Sequence, residues 1–335
     1  MSTCSPRSWL AYTMLIGAVV WLTAAPSRAE VLVERVSCLN LPNCVKLSNG
    51  RIEVVVTTDV GPRIIRYALV GGENILSEIG GSREPRDRDR WQLWGGHRLW
   101  IAPEGKPRSY GPDNDPITHA VQADRSVRFD QPVEKGTGIQ KSIIVSLDAD
   151  GSGVSIRHIL TNKNRTPFEL APWGVTIMAG GGTAIVPQEP YRSHDDEVLP
   201  ARPLALWYYT DLSDARFKIG PKFVRLSTDA ARKEPQKIGM GNKQGWAAYA
   251  RKGQVFIKRY GYQDDRIYPD FGSNTEVYTS SDFLEIETLG PMITLAPDGA
   301  VEHVERWFLF NDITVGDTEQ TIDAALQPLL AKTKS

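Results

Sequence analysis

Cysteine is scarce in this chain of 335 residues, neither sign of charge is in excess, and apolar residues run long in one place only. Thirty-nine basic residues stand against 40 acidic ones, a formal net of −1. A nucleic-acid binder normally carries a clustered basic excess, so nucleic acid is excluded as a partner. Hydrophobic residues at 41% and charged residues at 24% exclude disorder, collagen and coiled coil. No phosphate-binding Walker loop, dinucleotide fingerprint, HExxH zinc motif or GxSxG nucleophile elbow is present. Gly180-Gly181-Gly182 follows a strand pattern without the lysine or helix signal a phosphate loop needs. No repeat of propeller period is found.

The one long apolar run sits near the N-terminus, from about Trp9 to Ala25. Arg7 precedes it and Pro26-Ser27-Arg28-Ala29 follows, with small residues where a signal peptidase reads. Residues 1–29 therefore read as a secretory signal, and 30–335 as a single domain that is periplasmic or secreted. The run is short for a membrane span of about 20 residues, although a retained signal would be an anchor. No later stretch is apolar enough to span. Cys4 leaves with the signal. Cys38 and Cys44 remain, with five residues between them around a Pro-Asn turn, which is the spacing of a small disulfide loop in an oxidising compartment. A metal site would need further ligands nearby.

What is abundant is strand pattern. Arg51–Thr57, Pro62–Val70, Ile139–Leu147, Val154–Thr161, Phe168–Met178, Ala184–Val186, Gln254–Tyr260, Phe283–Thr288 and Val301–Phe310 are rich in Val, Ile, Thr and aromatics between Gly, Pro, Asn and Asp. With weaker runs they imply about twelve strands or more, an all-β sandwich or barrel. One helix is expected, over Asp317–Lys332, with Ile322, Ala325, Leu326, Leu329 and Leu330 on one face and Pro328 working against it. Ser82–Arg90 alternates in charge and reads as a solvated loop. Asp211–Gly241 shows little pattern and reads as a long surface excursion.

The densest candidate chemistry is Trp91–Glu104, WQLWGGHRLWIAPE. Tryptophan faces pack on the C–H faces of sugar rings, while His, Arg and Glu bond the hydroxyls. Trp94, His97, Arg98, Trp100 and Glu104 are the candidates there, against the alternative that the tryptophans fill core and His97 and Arg98 are structural. Trp173 stands in a strand. Tyr268–Asn274 offers Asp270 and Asn274 at a rim or an ordinary turn. Glu285 and Glu287 share one face of the strand Phe283–Thr288 by its period of two. His119, His158, His194 and His303 are isolated in sequence and read as structural.

NGRIEVVVTTDVGPRIIRYALVGGENIL (Asn49–Leu76), WGGHRLWIAPE, TNKNRTPFELAPWGVTIMAGG and FLEIETLGPMITLAPDGAVEHVERWFLF together resemble a family of uncharacterised bacterial proteins. That family lies in the galactose-mutarotase-like superfamily of aldose 1-epimerases and their relatives. The resemblance implies a β-supersandwich of large antiparallel sheets with a sugar on a concave sheet face. It also implies a glutamate base on the anomeric hydroxyl and a histidine acid on the ring oxygen. Ile286-Glu287-Thr288 before Pro291 and Leu295–Gly299 matches the strand of the base, so the resemblance places Glu287 there. Where the acid follows an Asn-x-x-x-x-Pro stretch (Asn162 to Pro167 here) the chain has Trp173-Gly174 and no histidine. An acid would have to come from elsewhere, with His97 the candidate.

The expectation is an exported carbohydrate-binding or carbohydrate-processing protein without a cofactor. If it is an enzyme, it is an epimerase-like isomerase or a sugar lyase or hydrolase. The alternative is a non-enzymatic envelope accessory domain that kept the fold and lost the site. A divalent metal has no supporting motif and would require His97, Glu104 and Asp270 to converge. The discriminating geometry is whether Trp94, His97, Trp100, Trp173 and Glu287 line one cleft.

Overall fold

The computed structural model of the protein describes residues 1–3, 30–79 and 89–334. The expected signal falls almost wholly outside the described residues, as do residues 82–88 of the charge-alternating loop. Among the described residues, no helix is long and apolar enough to cross a membrane.

The β-branched runs pair into two large antiparallel sheets. The larger has eleven strands, ordered Leu32–Cys38, Leu41–Ser48, Ile52–Thr57, Ile64–Leu69, Gly96–Ala102, Phe168–Ala179, Phe283–Leu289, Thr275–Ser280, Gln236–Met240, Leu204–Leu206, with Ile293–Leu295 pairing the start of Phe168–Ala179. The smaller has ten, ordered Phe217–Ile219, Phe223–Ser227, Thr183–Pro187, Trp246–Arg251, Gln254–Tyr260, Ala300–Phe310, Val154–Asn162, Ile139–Leu147, Val127–Asp130, Thr118–Val121. Ile139–Leu147 and Gln254–Tyr260 match the expected runs to the residue. Cys38 and Cys44 are disulfide-bonded beside the hairpin of the first two strands.

One expectation needs correction. Asp211–Gly241 is not a surface excursion, because it contributes Phe217–Ile219, Phe223–Ser227 and the fully buried Gln236–Met240. That last strand carries Gln and Lys among its five residues and owes its place to pairing with Thr275–Ser280 rather than to its own apolar content. The Gly95-Gly96 segment, in turn, opens a central strand. Both glycines have positive φ, and a Cβ on Gly96 would lie 2.2 Å from the Ile64 carbonyl oxygen, so only glycine permits this approach of the chains.

The main core fills the space between the sheets, with Val54, Leu99, Phe129, Ile156, Phe256, Ile286 and Trp307 among its buried members. The helix Glu319–Lys332, one residue pair shorter than expected, is opened by a Thr318–Thr321 capping box. It lays Ile322, Leu326, Leu329 and Leu330 on the outer face of the smaller sheet, against Phe223, Trp246 and Ile257. Pro328 lies inside the helix and does not end it.

A polar knot interrupts the apolar interior. Lys258 Nζ donates to Thr176 Oγ1 at 2.5 Å, Glu305 Oε1 at 3.1 Å and the Ile286 carbonyl at 3.1 Å. His158 Nδ1 donates to the His303 carbonyl at 2.9 Å, so its Nε2 accepts from His97 Nε2 at 2.7 Å. His97 Nδ1 then accepts from Thr176, and Thr288 donates to Glu305 while accepting from His303 Nε2. Trp307 Nε1 donates to the other Glu305 oxygen at 2.7 Å. Burial holds the three imidazoles neutral, His303 down to about 3. Burial works to raise the Glu305 carboxyl, but the Lys258 ammonium, with hydrogen bonds from Thr288 and Trp307, overcomes it and holds it ionised. His97, His158 and Glu305 have ligand atoms within 4.8 Å of one another, the spacing of a metal site. The imidazole nitrogens are already spent on one another and on Thr176 and His303, and the Lys258 ammonium supplies the positive charge. Two of the histidines read as isolated, His158 and His303, thus share one network with His97.

Removing one partner of such a pair strands a buried charge. Lys258→Met should cost about 3–5 kcal/mol of folding stability, measured by equilibrium denaturation. A loss under about 1 kcal/mol would contradict the network as drawn.

Candidate functional site

Three neighbouring strands of the larger sheet are buried on both faces, and their period of two sorts the side chains. In Gly96–Ala102, His97, Leu99 and Ile101 point between the sheets, while Arg98 and Trp100 point to the outer, concave face. In Phe168–Ala179, Trp173, Val175 and Ile177 take the concave face, with Trp173 directly opposite Trp100. In Phe283–Leu289, Glu285 and Glu287 take the same side, and Leu284 and Ile286 join the core.

The concave face carries a cleft of about 420 Å³. Its walls are aromatic: Trp91, Trp100, Tyr110, Trp173, Trp207, Tyr209 and Tyr278, with Leu93 beside them. Trp100 and Trp173 meet edge to face at 5.2 Å, and Trp100 meets Tyr110 at 5.2 Å. The polar lining is Arg98, Glu104, Lys237 and Glu285. Arg98 lies over the rings of Trp91 and Trp100, at 5.6 and 5.3 Å, and its Nη1 has no hydrogen-bond partner among the described residues. The Tyr110 hydroxyl donates to Glu104.

Lys237 organises the floor. Its ammonium is 2.7 Å from Glu276 Oε2 and 3.1 Å from Glu287 Oε2, and it sits over the rings of Trp173 and Trp207 at 5.0 and 4.6 Å. Burial alone would discharge it, but the two carboxylates hold it charged well above the ordinary lysine range. Trp173 Nε1 donates to the same Glu287 oxygen at 2.8 Å, which fixes the indole plane. With the lysine committed to those two, Glu285 shares little of it. Burial first, and then the neighbouring Glu287, push its carboxyl up to about 8, so it keeps its proton at neutral pH.

Of the sequence candidates, Arg98, Trp100, Glu104, Trp173 and Glu285 converge on this cleft. Glu287 does not line it, being fully buried behind Trp173. His97 does not reach it, because it lies on the opposite face of its strand, inside the polar knot, and has no line to Glu287 from a loop. Trp94 is core: it packs with Leu41, Val60 and Ile65 and donates to Asn114 at 3.1 Å. Asn274 is fully buried and exchanges hydrogen bonds with the Asn242 backbone. Asp270 lines a separate hollow. His97, Glu104 and Asp270 therefore do not converge. A Cβ on Gly174 would lie 2.5 Å from Glu305 Oε1, so the position where the resemblance implied an acid has no room for a side chain.

Several cleft residues went unread in the sequence: Lys237, Trp207, Tyr209, Tyr278 and the buried Glu276. Lys237 had a legible signal, since Lys237-Ile238-Gly239-Met240 alternates in polarity. Trp91 opens the segment that was singled out, and Tyr110 lies just beyond its end.

No protein-family model matches the chain, and no curated protein matches it by sequence. Solved structures do match. A galactose mutarotase-like protein from Clostridium acetobutylicum superposes with a TM-score of 0.55 at 12% identity, over 84% of this chain and 99% of that one. A galactose mutarotase-like protein from Lactobacillus casei gives 0.50 at 11%, over 80% and 100%. A TPR-domain containing protein from Parabacteroides distasonis gives 0.54 at 13% over 82% of this chain, which spans 48% of that one. At these identities what is shared is the fold, the galactose-mutarotase-like β-sandwich.

The protonated Glu285 makes a signed prediction. The folded state holds a proton there up to about 8, whereas the unfolded chain loses it near an ordinary glutamate value of about 4.3. Stability is therefore drawn down as pH rises from about 4.5 to 8. Glu285→Gln cannot ionise and should gain on the parent across that range, read from denaturation midpoints at acid, neutral and alkaline pH. A difference that does not change with pH would refute the assignment.

Proposed function

We propose that this protein binds carbohydrate in the concave cleft, one sugar ring stacking on Trp100 and Trp173 while Arg98, Glu104 and Glu285 bond its hydroxyls. The observation that supports the reading is the composition of that surface. An aromatic-walled hollow of about 420 Å³ is edged by one guanidinium, one ammonium and two carboxyl groups. Sugar rings offer apolar faces and a polar rim, which this surface complements. The fold neighbours support a carbohydrate-related role at the level of the superfamily. Glu287 acts in this reading through Lys237 and Trp173, as a positioning group.

Binding is the function proposed, without mutarotation. An acid and a base must both reach the ring, and the position of the family's acid is filled by Glu305 behind Gly174. We further propose that the protein is exported after cleavage behind Ala29, a reading supported by the leader pattern and by the paired Cys38 and Cys44.

A glycan array probed with residues 30–335 identifies the ligand. Trp100→Ala should then weaken binding by about 1–3 kcal/mol, the scale of removing a large buried side chain, with the fold intact by circular dichroism. Unchanged affinity in a folded variant would overturn the cleft as the site. Anomer exchange of free glucose or galactose, followed by NMR, should run at the uncatalysed rate. Intact mass of the exported protein should begin at Glu30, with no alkylatable thiol before reduction.

A further inference from the structure

The cleft does not end at Trp207. That half-buried ring also lines a second hollow of about 360 Å³, completed by Ala205, Leu206, Tyr208, Asp270 and Phe271. The ridge is built in. Trp207 lies against Gly239 on the concave face, where a Cβ would come within 3.1 Å of the indole and 2.5 Å of Ser273 Oγ. The missing side chain leaves room for Ser273 and for the ring together.

Beyond the ridge, two aromatic rings face solvent without covering core. Tyr208 is fully exposed and Phe271 is 90% exposed. Phe271 stands on a turn that holds two successive non-glycine residues in the left-handed region, Asp270 at φ 48° and Phe271 at φ 58°. Such backbone is unfavourable and persists only where its surroundings impose it. Here Ser273 ties the turn from both sides, its N–H to the Pro269 carbonyl at 2.9 Å and its hydroxyl to the Asp270 carbonyl at 2.8 Å. The preceding Tyr268 stacks on Tyr262 at 5.1 Å. A strained, braced turn thus presents a phenyl ring to water, where it contributes no burial to folding. The Asp270 carboxylate beside it makes no hydrogen bond or ion pair among the described residues.

We propose that the ligand is an oligosaccharide that crosses Trp207, with one sugar in the cleft and the next on Tyr208 and Phe271, hydroxyls bonded to Asp270. This rests on the carbohydrate reading of the cleft and extends it to substrate length. The aromatic–carboxylate pairing repeats the chemistry of the cleft, and the shared tryptophan makes the two hollows neighbours across one ring.

The test uses the glycan of two to four residues that binds best on the array, together with its own constituent monosaccharide, in calorimetric titrations. The parent should bind the oligosaccharide at least about tenfold more tightly than the monosaccharide. In the Tyr208→Ala/Phe271→Ala variant that ratio should fall to about one, with thermal stability unchanged because both rings are exposed. Equal affinity of the parent for both sugars, or an unaltered ratio in the variant, overturns the second subsite and leaves the cleft reading intact. An array on which nothing binds removes both readings. A concentration-dependent dimer that the variant abolishes, seen by sedimentation, would overturn the proposal in favour of a contact between copies.

Discussion

The Lys258–Glu305 pair, closed off between the two sheets, is the constraint on which the cleft depends. An ion pair in so dry a place is tolerable only if each remaining proton and lone pair is met. The groups that meet them come from three strands of each sheet: His97, Thr176 and Thr288 on one side, His158, Lys258 and Glu305 with His303 and Trp307 on the other. The strands Gly96–Ala102, Phe168–Ala179 and Phe283–Leu289 are those that form the cleft floor. Their position relative to one another is set from behind, by hydrogen bonds that a sugar never touches.

The same strands carry the chemistry on their other face because side chains alternate. One residue along from His97 is Arg98, one back from Thr176 is Val175 between Trp173 and Ile177, and one back from Thr288 is Glu287. The register then pairs Trp100 with Trp173 and Ile177 with Glu285. A slip of one residue in Gly96–Ala102 would exchange Arg98 and Trp100 for His97 and Leu99.

The two buried lysines solve opposite problems. Lys258 has one carboxylate and neutral acceptors, so its charge is matched and the knot is closed. Lys237 faces Glu276 and Glu287 with Glu285 close by, more acid than one ammonium can neutralise. Burial raises Glu276 as well as Glu285, so the surplus is met by protons held among these buried acids, of which Glu285 is the member that opens to the cleft. That leaves the cleft with a hydrogen-bond donor where a carboxylate would only accept, and a protonated carboxyl fits a hydroxyl in either sense.

How much of this was legible in the sequence depends on the range of the interaction involved. Alternation and β-branched runs are local, and from them came the all-β class, the limits of strands such as Ile139–Leu147 and Gln254–Tyr260, and the shared face of Glu285 and Glu287. The helix with its apolar stripe and the spacing of Cys38 and Cys44 were local as well. The likeness to mutarotase-like chains pointed to a concave sheet face and to the tryptophan-rich strand. Which face of a strand looks at solvent is not local, since each face of Gly96–Ala102 mixes apolar with polar side chains, His97 on one and Arg98 on the other, and both are buried. His97 and Trp94 therefore read as cleft residues, and Glu287 stood as the base that the resemblance implied, until packing placed them. Lys237 reaches the site from a strand held by its pairing with Thr275–Ser280, and Trp207 follows the short strand Leu204–Leu206 that pairs with it in turn. Apart from His303 and Glu305, two residues apart on one strand, the members at 97, 158, 258 and 303 have no sequence proximity to betray their network. Pairing register and sheet stacking, which tertiary structure alone decides, bring them within hydrogen-bond distance.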